Sequence, residues 1–93
     1  MIASFRNAAT RELFETGKSR RIPVGIQRVA QRKLKYLAAV DDLNSLRAPA
    51  GNHLEALKGD RRGQFSIRVN DQYRICFVWI GKDAHQVEIV DYH

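Results

Sequence analysis

The sequence predicts an α+β chain, on three observations. Apolar residues repeat at helical spacing through the first half, the period drops to two from Gln64 onward, and turn residues separate the period-two runs. Helices first and strands afterwards is the α+β order rather than the alternating βαβ one.

Taken in order, residues 2 to 5 read as a short first strand. Asn7 is positioned to cap a helix over Ala8–Glu15 and Gly17 to stop it, with Leu13 and Phe14 turned inward. Pro23 suits the opening of a second helix, along which Ile26, Val29, Ala30, Leu34, Leu37 and Ala38 recur as far as about Leu43. The opposite face carries Arg28, Arg32 and Lys35, so one helix supplies both a core stripe and a basic stripe. Asn44 to Asn52, with Pro49 and Gly51, reads as an ordered loop.

Past Gln64, Phe65, Ile67 and Val69 alternate with polar residues, as do Tyr73, Ile75, Phe77 and Trp79 with Arg74, Cys76 and Val78. A turn at Asn70-Asp71-Gln72 pairs Val69 with Tyr73, Ile67 with Ile75 and Phe65 with Phe77 on one face. The same register sets Arg68 opposite Arg74 on the other. Two facing arginines repel unless an anion lies over them, so this register suggests a phosphate site; the alternative is a pair bridged to Glu88 or Asp91. A five-residue loop around Gly81-Lys82-Asp83 brings Val87 and Ile89 to the core face. By parity Tyr92 then joins the arginine face, while Asp91 and His93 sit where the strand frays.

Ninety-three residues suit a single domain spanning 1–93. The one cysteine, Cys76, has no internal partner and fits a reducing compartment, and no stretch approaches the roughly 18 apolar residues of a membrane span. A cytoplasmic chain is expected. The 16 Lys+Arg against 10 Asp+Glu give a formal charge of +6 and point toward a polyanion. From Lys18 to Lys35 there are cations and no acids, a block that nucleic acid, an acidic protein partner or a membrane surface would each welcome, the membrane least, since the helix lacks an aromatic-rich apolar face. Three scattered histidines and one cysteine do not space themselves as a metal cage, so neither metal nor cofactor is expected. The ending Asp91-Tyr92-His93 gathers a carboxylate, a phenol and an imidazole at a strand end, a set suited to proton transfer. On residue type alone it reads more readily as a frayed, solvated terminus.

Three runs then carry a resemblance: Pro49 to Gly63 with Leu57-Lys58-Gly59-Asp60-Arg61, Ser66 to Phe77 with Tyr73-Arg74-Ile75, and Val87 to His93. With Met1-Ile2-Ala3-Ser4-Phe5 and Leu13-Phe14-Glu15-Thr16-Gly17, they make the whole chain look like the HigB branch of the RelE/ParE toxin superfamily. The resemblance implies two helices packed on a twisted antiparallel sheet, and ribosome-dependent mRNA cleavage in the A site that inhibits translation. It also implies a helix-turn-helix antitoxin of the HigA type, through which alone operator DNA is bound. The family site carries over to Asp91, Tyr92, His93, Lys58 and Arg74. One position departs: some members have a catalytic His where this chain has Glu55, and the nearest imidazole, His53, lies two residues upstream. For attack by the 2′-hydroxyl of RNA, Asp91, Glu55 or His53 would be the base and His93 the acid; Lys58 and Arg74 would hold the phosphate and Tyr92 would meet a base. The rival reading is a non-catalytic member that inhibits gyrase or serves mainly as its antitoxin's corepressor.

Overall fold

The computed structural model describes residues 1–92; His93, the expected acid, lies outside the described residues. Two helices, α1 (Ala8–Thr16) and α2 (Val24–Ala39), precede four strands, β1 (Glu55–Ala56), β2 (Phe65–Arg68), β3 (Tyr73–Ile80) and β4 (Asp83–Asp91), which form an antiparallel sheet in that spatial order. The predicted α+β class holds.

The helix boundaries follow from local chemistry. Asn7 Oδ1 accepts from the Thr10 amide at 2.9 Å, and Gly17 ends α1 with φ +83°, as the sequence indicates. Helix α2 stops at Ala39, four residues short of the expected Leu43. Asp42 adopts extended backbone and accepts from Asn44 N at 3.0 Å, so it starts a new 3₁₀ turn over Leu43–Arg47 instead of continuing the helix. Ile26, Ala30, Leu34 and Leu37 bury the inner stripe of α2 against Leu13, Ile67, Ile75 and Phe77.

The β2–β3 register is the predicted one: Phe65 opposite Phe77, Ile67 opposite Ile75, Arg68 opposite Arg74. Asn70 fixes the turn by accepting from the amides of Gln72 (2.9 Å) and Tyr73 (2.7 Å). The next connection departs from the expected five-residue loop. Ile80 pairs with Asp83 across a two-residue turn, with Gly81 at φ +64° supplying the positive dihedral that such a hairpin needs. That tight turn alone would put Val87 and Ile89 on the wrong face. A bulge between Cys76 and Val78 corrects the parity, with Gln86 at φ +52°, so that Ala84, Val87 and Ile89 all meet the core face. Ser4 Oγ accepts the Gln86 amide at 2.9 Å.

Residues 2 to 5 are not a strand of the antiparallel sheet. They lie parallel along the outer side of β4, through bridges of Ile2 to Ala84 and Phe5 to Val87. Further along the same edge, Thr10 Oγ1 accepts the Ile89 amide at 3.1 Å from a position only 1% exposed. The N-terminal segment and α1 thus cover backbone that a bare edge strand would offer to another chain. Thr10→Val, which keeps the shape and removes the acceptor, should lower stability by about 1–3 kcal/mol. Urea unfolding would show a lower midpoint at an unchanged slope; an unmoved midpoint would show that this bond is dispensable.

Candidate functional site

The outer face of the sheet is organised around Arg74. Register alone would leave it facing Arg68, yet its side chain crosses β2 instead. Nε donates to Ser66 Oγ at 2.7 Å, and Nη2 donates to the His53 carbonyl at 2.5 Å and the Ser66 carbonyl at 3.4 Å. Glu55 Oε1 lies 3.5 Å from the same Nη2. The residue is 8% exposed, and a guanidinium so buried needs this set of acceptors. Nη1 has no hydrogen-bond partner among the described residues, and the Tyr92 ring centroid lies 6.0 Å from Cζ. Tyr92 therefore joins the arginine face, as parity requires.

Strand β1 brings Glu55 into this group by pairing it with Ser66, which in turn pairs with Cys76 and Cys76 with Glu88. His53 contributes differently from the expected imidazole. It adopts a left-handed conformation (φ 44°, ψ 57°) that directs its carbonyl to Arg74. The sequence-proposed bridge to Glu88 does not form among the described residues: Arg68 pairs with Asp71 and Arg74 meets Glu55, while Glu88 pairs with Arg6 and Arg61 at 3.3 Å each. Lys58 is exposed at the head of the 3₁₀ turn Gly59–Arg61, two residues beyond β1.

Asp91 pairs with Tyr73, so the pleat of β4 directs it away from the face that Arg74 and Tyr92 share. Gln72 anchors this end of the chain twice: its amide side chain donates to Asp91 Oδ2 at 3.0 Å, and its carbonyl accepts the Tyr92 amide at 2.7 Å.

The basic stripe of α2 divides. Arg28, Arg32 and Lys35 are exposed as expected, but Lys35 Nζ lies 4.1 Å over the Phe14 ring, on the α1 side. Lys33 points the other way and donates to Asn52 Oδ1 at 2.6 Å. Burial pushes the Lys33 ammonium below its ordinary pKa, and the charges of Arg32, Arg68 and Arg74 act in the same direction. The cations thus form one field that spans helix and sheet.

Residues 3–93 match the family model of HigB-like toxins, RelE-like toxins of the type II toxin-antitoxin system HigB. The chain belongs to the HigB-like toxin family. A relative from Vibrio cholerae, Toxin HigB-1, is 40% identical over 81 residues, covering 86% of this chain and 85% of its own. Endoribonuclease HigB of Proteus vulgaris is 34% identical over 94 residues, covering 100% of both chains. Among solved structures, the YoeB-YefM complex from Staphylococcus aureus includes a chain that matches 100% of this one and 98% of its own, with TM-score 0.60 at 15% identity, a likeness of fold. No helix among the described residues is long and apolar enough to cross a membrane, and no three metal-ligating side chains gather among them.

Within this HigB-like framework, sequence reasoning missed Ser66, Lys33 and Gln72 as positioning groups. Ser66 was open to detection, because a small hydroxyl residue on the arginine face, two positions from Arg68, suits a guanidinium partner. Lys33 and Gln72 act through contacts remote in sequence. Cys76, on the same face, is fully buried, and burial pushes its thiol pKa up. Cys76 should resist a disulfide-exchange reagent in the native protein at pH 8 and react fully in denaturant. Rapid native labelling would contradict the burial of Cys76.

Proposed function

We propose that this toxin is a ribosome-dependent endoribonuclease that cleaves mRNA presented in the A site, and that a HigA-type helix-turn-helix antitoxin restrains it. The observation that carries the reading is the pinned Arg74. A guanidinium fixed by Ser66 and His53, with Nη1 unpartnered among the described residues and a tyrosine ring beside it, suits a phosphate with an adjoining base. The relative named as an endoribonuclease, aligned over the full length of both chains, supports the nuclease part of this reading.

In this mechanism the 2′-hydroxyl attacks the neighbouring phosphorus and the bond to the 5′-oxygen breaks, leaving a cyclic phosphate. Arg74, Arg68 and Lys58 balance the charge that builds on the phosphorane oxygens. Glu55 is the carboxylate in contact with Arg74, and its side chain is 54% exposed, so it is the group best situated to take the hydroxyl proton. His93 returns a proton to the leaving oxygen, and Asp91, held by Gln72, orients the end of the chain on which Tyr92 and His93 sit.

Glu55→Gln keeps the size and a polar contact to Arg74 but removes the basic oxygen. Single-turnover cleavage of a programmed ribosome should fall about a hundredfold, the lower bound of a general-base contribution. Unchanged or faster cleavage would mean that Glu55 only occupies Arg74 and that the base lies elsewhere. His93→Ala should abolish cleavage in the same assay, because it removes the proposed general acid. Undiminished cleavage would remove His93 from the mechanism.

A further inference from the structure

Between α2 and the segment that leads into β1, Arg32, Lys33, Tyr36, Pro49 and Asn52 enclose a pocket of about 240 Å³. Its walls are of two kinds. Tyr36 and Pro49 present apolar surface, while Lys33 and Arg32 bring positive charge. The pocket is held in shape by bonds to the chain behind it. The Tyr36 hydroxyl donates to the carbonyls of Ser45 (2.9 Å) and Ala48 (2.8 Å). The amide of Asn52, 1% exposed, donates to Leu46 O and Ala48 O at 3.2 Å each, and its oxygen accepts from Lys33. Neither the ring nor the ammonium is therefore free to swing away, and little order has to be created on binding. The volume falls below the roughly 300 Å³ at which sites for drug-sized ligands begin, which leaves room for one base but not for a dinucleotide cofactor.

The pocket also adjoins the site built on Arg74. Asn52 forms part of its wall, and the next residue, His53, gives its carbonyl to Arg74. One dipeptide thus connects the two. The charge on Lys33 is opposed by its burial and by three arginines, so an anion placed there would be welcomed by all four cations.

We propose that this pocket is a second RNA subsite. It takes one nucleotide of the substrate away from the bond that breaks, with the base against Tyr36 and Pro49 and its phosphate on Lys33 and Arg32. The inference rests on the endoribonuclease reading and adds a specificity contact to it. A flat apolar wall beside paired cations matches a nucleotide, whose ring and phosphate are joined. An acidic peptide would use the cations and leave the wall idle.

The test uses ribosomes programmed with a short mRNA in which single phosphates are replaced, one at a time, by uncharged methylphosphonate. At one position away from the cleaved bond, the replacement should raise the half-saturating concentration of the wild-type toxin about tenfold, the value of one charge-assisted hydrogen bond. Lys33→Gln should raise it similarly with the normal mRNA and should add nothing further at that position, the non-additivity expected of partners in contact. Lys33→Arg, which keeps the charge, should retain the sensitivity and so separates loss of contact from loss of fold. Cleavage by the wild type with no position coupled to Lys33 would overturn the subsite alone. Lys33→Gln that keeps every phosphate sensitivity but loses the antitoxin would assign the pocket to protein and overturn it too. An all-phosphate mRNA left intact by the wild type would overturn the nuclease reading and the subsite with it.

Discussion

A buried guanidinium is the constraint to which the outer face of this molecule is fitted. Arg74 is taken almost wholly out of water, which is costly unless each donor meets an acceptor or a ligand. Three features answer that requirement. A serine lies beside Arg74 where a larger side chain would block it, and a non-glycine residue, His53, is held at positive φ so that its carbonyl points inward. The two-residue strand β1 sets Glu55 next to Ser66. Each is a poor choice on local grounds alone, since serine packs weakly, left-handed histidine is strained and so short a strand is marginal. All three make sense together as the mounting for one side chain.

The second constraint is parity. A tight hairpin at Gly81 shortens the connection between β3 and β4 but would turn the far half of β4 inside out, moving Tyr92 away from Arg74. The bulge at Gln86 restores the alternation, and the N-terminal segment stabilises the bulge by giving Ser4 Oγ to the Gln86 amide. The first residues of the chain are therefore coupled, through the backbone of β4, to the placement of its last ones. Gln72 closes the arrangement from the other side by holding both Asp91 and Tyr92.

Much of this was legible in the sequence because it depends on local rules. Asn7 and Gly17 mark α1, alternation fixes the β2–β3 register, and that register sets Arg68 opposite Arg74. The membership of the family, read from the runs around Lys58, Arg74 and Asp91, was legible as well. What could not be read depends on contacts between distant residues. The loop expected at Gly81 gave the right faces for Val87 and Tyr92 through the wrong geometry, because one extra loop residue and one bulge have the same effect on parity. The early end of α2 at Ala39 depends on whether Asp42 caps a new turn or stays solvated on the helix, two states that one aspartate permits equally. His53 was weighed for its imidazole, whereas its recorded service is a backbone carbonyl, which residue type does not reveal.

Charge composition marks α2 as the cationic element, but composition treats Lys33 and Lys35 alike, and the fold does not. Two positions apart on a helix are about 200° apart around its axis. Lys35 therefore turns to Phe14 and α1, while Lys33 turns to Asn52 and the sheet arginines. The first rests its charge on an aromatic face and stays solvated. The second is partly desolvated among like charges, so its ammonium gains more from an arriving anion than an exposed lysine does. One flank of the helix thus presents charge that salt screens readily, and the other a partly desolvated lysine whose field salt screens much less. The formal charge of +6 reflects the first, and only the position of Lys33 beside Asn52 reveals the second.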